Sequence, residues 1–224
     1  MINTKDQEEL LKLIADYLSR DVECYAIGGT AMIFYGYKNA TKDIDLVFLN
    51  KDDCEEFIKA IEKLGYSKKS LKSVYNEKRI DFPSKPRIYS RGDERFDLFI
   101  RNVFGFEFKN QFKELIREKI GFISKKELII NILPIEFIIL LKAITHRERD
   151  LEDVQEIADK EKNIDWDLII NEAIKQKENN PWMLIDLEKT MRELKKKMFI
   201  PSKYFEMIYK AEEKMKKWMV CSGV

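Results

Sequence analysis

Ala26-Ile27-Gly28-Gly29-Thr30-Ala31, followed by Thr41-Lys42-Asp43-Ile44-Asp45-Leu46, sets a glycine pair ahead of a helical run and two alternating aspartates on an apolar strand. Tyr25-Ala26-Ile27 reads as a short strand that stops at Gly28-Gly29, and Thr30 to Tyr35 reads as a helix. Ile44 to Leu49 is an apolar run bounded by charge, the pattern of a strand covered on both faces. Alternate side chains of a strand share a face. Asp43 and Asp45 therefore point one way while Ile44, Leu46 and Phe48 enter the core. Two carboxylates spaced by ~6.6 Å of strand repel by about 2.5 kcal/mol at an effective dielectric near 20. Nothing in the local run neutralises them, because Lys42 projects to the opposite face. A divalent cation would relieve the repulsion, and an all-oxygen ligand set suits Mg²⁺.

Working outward, Asp97 occupies an equivalent setting in Phe96-Asp97-Leu98-Phe99-Ile100, a strand whose apolar neighbours take the other face. If that strand lies beside the first, Asp43, Asp45 and Asp97 meet on one surface. Phosphoryl chemistry needs such a cluster to hold attacking and leaving oxygens in line. It also needs a place for a triphosphate. Gly28-Gly29 leaves backbone amides unblocked at a helix start, and Thr30 adds a hydroxyl. Each feature alone is ordinary: a Gly-Gly is more often a plain loop, and an Asp-x-Asp is more often a solvated strand face. Their order along the chain is what discriminates.

The rest of the chain frames this constellation. A capping box at Thr4 and Gln7 opens a helix to about Arg20, with Leu10, Leu11, Ile14, Tyr17 and Leu18 as its buried stripe. Asp52 or Asp53 caps the next helix, which carries Phe57, Ile58, Ile61 and Leu64 and ends at Gly65. Residues 66 to 101 read as strands, broken at Pro83 and Pro86 and turned at Gly92-Asp93. Phe112 to Lys119 reads as a helix and Leu128 to Leu133 as a strand. From Pro134 the pattern is helical, with further starts at Asp150, Asp165, Asn180-Pro181 and Pro201. The expectation is an α+β chain: a mixed α/β domain over 1–133, then a helical domain over 134–224.

Composition bounds the function classes. The 224 residues are 45% hydrophobic and 36% charged, the latter well above the usual ~25%. Forty-one basic and 40 acidic residues leave a net charge of +1, so overall charge argues nothing about nucleic acid. Between Lys189 and Lys217, however, ten basic residues face four acidic ones, and the C-terminal end is the basic pole. The Lys195-Lys196-Lys197 run and Lys214, Lys216 and Lys217 read as solvated helix faces. Phe199, Tyr204, Phe205 and Tyr209 interleave with them, which leaves a weakly electropositive RNA groove as the sharper alternative. Cys24, Cys54 and Cys221 are scattered, without the spacing of a zinc site or a disulfide framework, and imply a reducing, intracellular setting. A single histidine, His146, argues against a histidine-built metal site or a Ser-His-Asp triad and reads as a helix-end residue. The longest apolar stretch, Leu128 to Leu141, is interrupted and too short for the ~20 residues of a membrane span. A soluble, cytoplasmic protein is the expectation.

With Gly28-Gly29-Thr30 and Asp43-Ile44-Asp45 in place, the chain resembles the DNA polymerase β-like nucleotidyltransferase superfamily. Within it, the chain is similar to the prokaryotic branch that includes AbiEii-type abortive-infection toxins and their MenT-like relatives. The resemblance implies a small mixed sheet with flanking helices, Mg²⁺ as cofactor and an NTP as donor. It implies Asp43 and Asp45 as metal ligands, and Asp97 as third ligand and base for an acceptor hydroxyl. The acceptor it favours is tRNA or another RNA 3′ end, ahead of a protein side chain or a small molecule, with a cognate antitoxin as partner. It also draws in the run Glu136 to Asp153, where Lys142 would face the phosphates and Asp150 would orient it, beside Arg147, Arg149 and Asp153. The plain alternative there is a solvated helix junction, with Lys142 snorkelling from an apolar turn. Two rivals stand beside the enzyme: a catalytically silent nucleotide-binding module, and a partner protein of a two-gene module with the same fold.

Overall fold

The computed structural model describes residues 1–70, 85–145 and 148–222. Pro83, His146 and Arg147 lie outside the described residues, as do the side chains of Lys214, Lys216, Lys217 and Cys221. The chain divides into two compact units, Met1–Pro134 and Ile135–Val224.

In the first unit the elements run β1 (Ile2–Asn3), α1 (Thr4–Tyr17), β2 (Val22–Ala26), α2 (Gly28–Phe34), β3 (Ala40–Thr41), β4 (Ile44–Phe48), α3 (Lys51–Lys63) and β5 (Ser67–Lys69). After the undescribed stretch come β6 (Arg87–Arg91), β7 (Glu94–Ile100), β8 (Asn102–Val103), β9 (Phe106–Glu107), a 3-10 segment at Asn110–Leu115, β10 (Glu118–Ile123) and β11 (Glu127–Ile132). Among the described residues, seven of these strands form one sheet in the order β10-β11-β2-β4-β7-β6-β5. It is mixed: β11–β2 and β4–β7 pair in parallel, and the other neighbours are antiparallel. This mixed α/β architecture is compatible with the α+β class.

Register decides which residues share a face. Ile44 lies beside Phe96 and Leu46 beside Leu98, all fully buried. Helix α3 covers this face: Phe57 meets Phe48 at 5.4 Å and Phe96 edge-on at 5.5 Å between ring centroids. Asp45 beside Asp97 and Val47 beside Phe99 take the opposite face. Further along that face, Tyr25 and Phe99 are met by the aromatics that follow β7. Phe104 lies edge-on to Phe99, and Phe108 sits 6.0 Å from Tyr25 and packs with Phe106 and Phe112. One end of the face is thus closed by hydrocarbon and the other carries carboxylates.

The helix ends correct the sequence reading in three places. Asn3, not Thr4, caps α1: its side chain accepts from Asp6 N at 2.9 Å while Asn3 N donates to the Asp6 carboxylate. Gln7 is instead fully buried, and Tyr17, expected in the buried stripe, is exposed. Asn50, not Asp52 or Asp53, caps α3, accepting from Asp53 N at 2.7 Å. Phe112 to Lys119 is not a helix. It splits into the end of the 3-10 segment and the start of β10, because Phe112 is drawn into the Phe106–Phe108 cluster and Glu118 and Lys119 pair with Ile132 and Asn131. Strand β11 then pairs back onto β2, which closes the first unit immediately before Pro134.

The second unit holds α4 (Ile135–Thr145), α5 (Glu148–Lys160), α6 (Trp166–Gln176), α7 (Met183–Leu194) and α8 (Ser202–Ser222). Helix α4 is apolar around nearly its whole circumference and packs on α5, α6 and α7. Asp165 caps α6, accepting from Leu168 N at 2.9 Å. Among the described residues, no helix is long and apolar enough to cross a membrane.

Glu56 of α3 anchors the segment that joins α1 to β2. Its buried carboxylate accepts from both Ser19 N and Ser19 Oγ, at 2.6 and 2.7 Å. Burial alone would raise its pKa, yet the two Ser19 bonds, with Lys59 and Arg20 nearby, hold it below the ordinary 4.5. A depressed folded pKa means stabilisation that is present above the unfolded value and lost as pH falls through the folded one. Glu56→Gln should therefore cost about 1–2 kcal/mol near neutral pH, with a penalty that shrinks as pH falls from the ordinary 4.5 through the lowered folded value. Urea denaturation of both proteins across that pH range measures it.

Candidate metal centre

Asp45 and Asp97 face one another because β4 and β7 are parallel neighbours in that register. Asp43 precedes β4 by one residue, two positions from Asp45, and completes the group. Each of the three carboxylates offers an oxygen, and these oxygens all lie within 4.8 Å of one another. Asp97 is fully buried, whereas Asp43 and Asp45 are partly open, so the cluster sits at the rim of the face and not inside the core. At such separations each ionised pair repels by at least about 3.5 kcal/mol at an effective dielectric of 20. Around a Mg²⁺ ion bonding oxygens at about 2.1 Å, neighbouring ligands lie about 3.0 Å apart and opposite ones about 4.2 Å. The three oxygens would draw together onto an ion, and the cluster could hold a metal.

The start of α2 abuts this group. Gly28 has φ +54°, a conformation that favours glycine, and a Cβ there would come within 3.0 Å of Asp45 Oδ2. At Gly29 a Cβ would come within 2.7 Å of Thr41 Oγ1. Gly28 thus lets the backbone approach the carboxylate strand, and Gly29 lets it approach Thr41 of β3, more closely than a side chain would permit. Thr30 is buried, and its Oγ1 accepts from Asp45 N at 2.8 Å. Its oxygen thus fixes the strand that carries Asp45. Ile27 N reinforces the link by donating to Asp45 O at 3.2 Å.

Sequence reasoning missed Arg95. It lies two residues before Asp97 on β7, so both side chains leave the same face. Its Nε approaches Asp97 Oδ1 at 2.9 Å, Nη2 donates to Asp97 Oδ2 at 3.3 Å, and Nη2 also donates to Asp43 Oδ2. The cluster that the local run left without a counter-charge is served by a guanidinium from another strand. The signal was present as Arg95-Phe96-Asp97, an i, i+2 pair on a strand, but its partner Asp43 is distant in sequence.

Lys142 and Asp150 lie in the second unit, on α4 and α5. There the Lys142 ammonium, 7% exposed, meets Asp153 Oδ2 at 2.5 Å and Asp150 Oδ1 at 3.4 Å. Thr145 Oγ1 donates to the other Asp150 oxygen. Lys142 does not snorkel to solvent. It closes an ion cluster that joins the two helices, while Arg149 is exposed.

No protein-family model matches the chain, and no curated protein sequence does either.

Buried ion clusters are costly to break from one side, because the surviving charges lose their partner. Lys142→Met, close in length and volume, should destabilise the chain by about 3 kcal/mol in chemical denaturation. A loss below about 1 kcal/mol would mean that the cluster contributes no more than an exposed ion pair.

Proposed function

We propose that the protein is a Mg²⁺-dependent nucleotidyltransferase of the polymerase β-like kind, moving an NMP from an NTP to an acceptor hydroxyl with release of pyrophosphate. The observation that carries this reading is the lateral pairing of Asp45 with Asp97 on parallel strands, with Asp43 close enough for all three to share an ion. Asp43, Asp45 and Asp97 would hold the metal, which would supply charge neutralisation at the transferred phosphoryl group. Asp97 is also the group suited to take the acceptor's proton as that oxygen bonds to the α-phosphorus and the bond to pyrophosphate breaks. The tight backbone at Gly28-Gly29, beside Asp45, is the natural rest for the triphosphate. An RNA 3′ end, tRNA first among them, is the acceptor that the family resemblance favours.

One observation favours a second reading. Arg95 engages two of the three carboxylates, as it would in a module that keeps the fold and binds nucleotide without transfer. The two readings part on product. Purified protein, Mg²⁺, each labelled NTP in turn and total tRNA should yield labelled RNA and pyrophosphate. Asp45→Asn should reduce transfer by about 10³-fold or more, given how much such chemistry relies on charge stabilisation. Nucleotide binding without pyrophosphate, unchanged in Asp45→Asn, would instead establish the silent module.

A further inference from the structure

The acidic cluster already holds a cation of its own. Arg95 reaches Asp97 with two nitrogens of its fork and shares one of them with Asp43, so a single side chain binds together carboxylates from β7 and from the residue before β4. The register favours this: Ile44 lies beside Phe96 and Asp45 beside Asp97, and Arg95, two residues before Asp97 on the same face, reaches Asp43 just ahead of β4. Arg95 is itself only 24% exposed at its side chain, which places the guanidinium within the rim of the cluster and not out in solvent. Its Nη2 hydrogen-bonds Asp97 Oδ2 and Asp43 Oδ2 while Nε lies 2.9 Å from Asp97 Oδ1, so the guanidinium sits against the atoms an ion would need.

Resting on the metal-dependent reading above, we propose that Arg95 is an internal stand-in for the metal: it gathers Asp43 and Asp97 in the metal-free protein and is displaced from them when a divalent cation binds. The two occupants compete for the same oxygens, because Arg95 Nη2 donates to Asp43 Oδ2 and to Asp97 Oδ2. Its positive charge also repels an incoming cation at that distance. The exchange also explains how three like charges remain gathered without metal. Arg95 is thus a positioning residue for the ligands, and its release sets the affinity of the site.

The exchange is tested on the full chain with Mn²⁺ alone, counting free ion by electron paramagnetic resonance. Arg95→Gln removes the competing charge but keeps a polar side chain. It should bind Mn²⁺ at least about tenfold more tightly than the unmodified protein, because there is no guanidinium to displace. A purely structural arginine would leave affinity unchanged or lower it, and either result overturns the exchange. A second measurement needs no variant. In ¹⁵N-labelled protein the Arg95 Nε–H signal should shift, and its protection from solvent exchange should fall, as Mg²⁺ saturates the site. A signal that stays fixed at saturation overturns the proposal while leaving the metal site standing. Absence of Mn²⁺ binding in both proteins would overturn the metal-dependent reading and the exchange together.

Discussion

Parallel pairing of β4 with β7 is the constraint on which the site depends. Parallel strands place residues of matching register side by side on one face, so Asp97 lands against Asp45, and Arg95, two residues earlier on that face, reaches Asp43. A slip of one residue would turn Asp97 towards α3 and bring Phe96 to the rim. The register is guarded from the far side. Ile44, Leu46, Phe96 and Leu98 are fully buried, with Phe57 packed edge-on against Phe96, and all of that burial would be forfeited by the slip. Hydrophobic packing on one face therefore sets the spacing of charge on the other.

The carboxylates are further fixed from the loop side. Thr30 and Ile27 both hold the Asp45 backbone, and Gly28 approaches its side chain more closely than a Cβ would allow. The loop before α2 and the strand β4 thus form one structural piece. Charge repulsion within the cluster opposes that piece, and Arg95 offsets it. The same physics explains Lys142 in the second unit. A buried ammonium is tolerable there because Asp153 and Asp150 surround it.

Much of this was legible in the chain. The strand holding Ile44, Leu46 and Phe48, the turn at Gly28-Gly29 and the strand aspartate at Asp97 followed from two-residue periodicity and glycine chemistry, and the three carboxylates do come together. The helical character after Pro134 was equally plain from its periodicity. What escaped were features set by partners distant in sequence. Arg95 acquires its meaning only once β7 lies beside β4. Phe112 to Lys119 has a helical pattern locally, but an aromatic cluster and a strand partner override it. The cap residues Asn3 and Asn50 each lay within three residues of a plausible alternative, and side-chain geometry chose between them.

Anomalous diffraction from crystals grown with Mn²⁺ would show whether Asp43, Asp45 and Asp97 together ligate a divalent cation. The expected result is a manganese peak with one oxygen from each of the three aspartates in its coordination shell and the Arg95 guanidinium turned away. A peak elsewhere, or a cluster still bridged by Arg95 with no ion bound at saturating Mn²⁺, would contradict it.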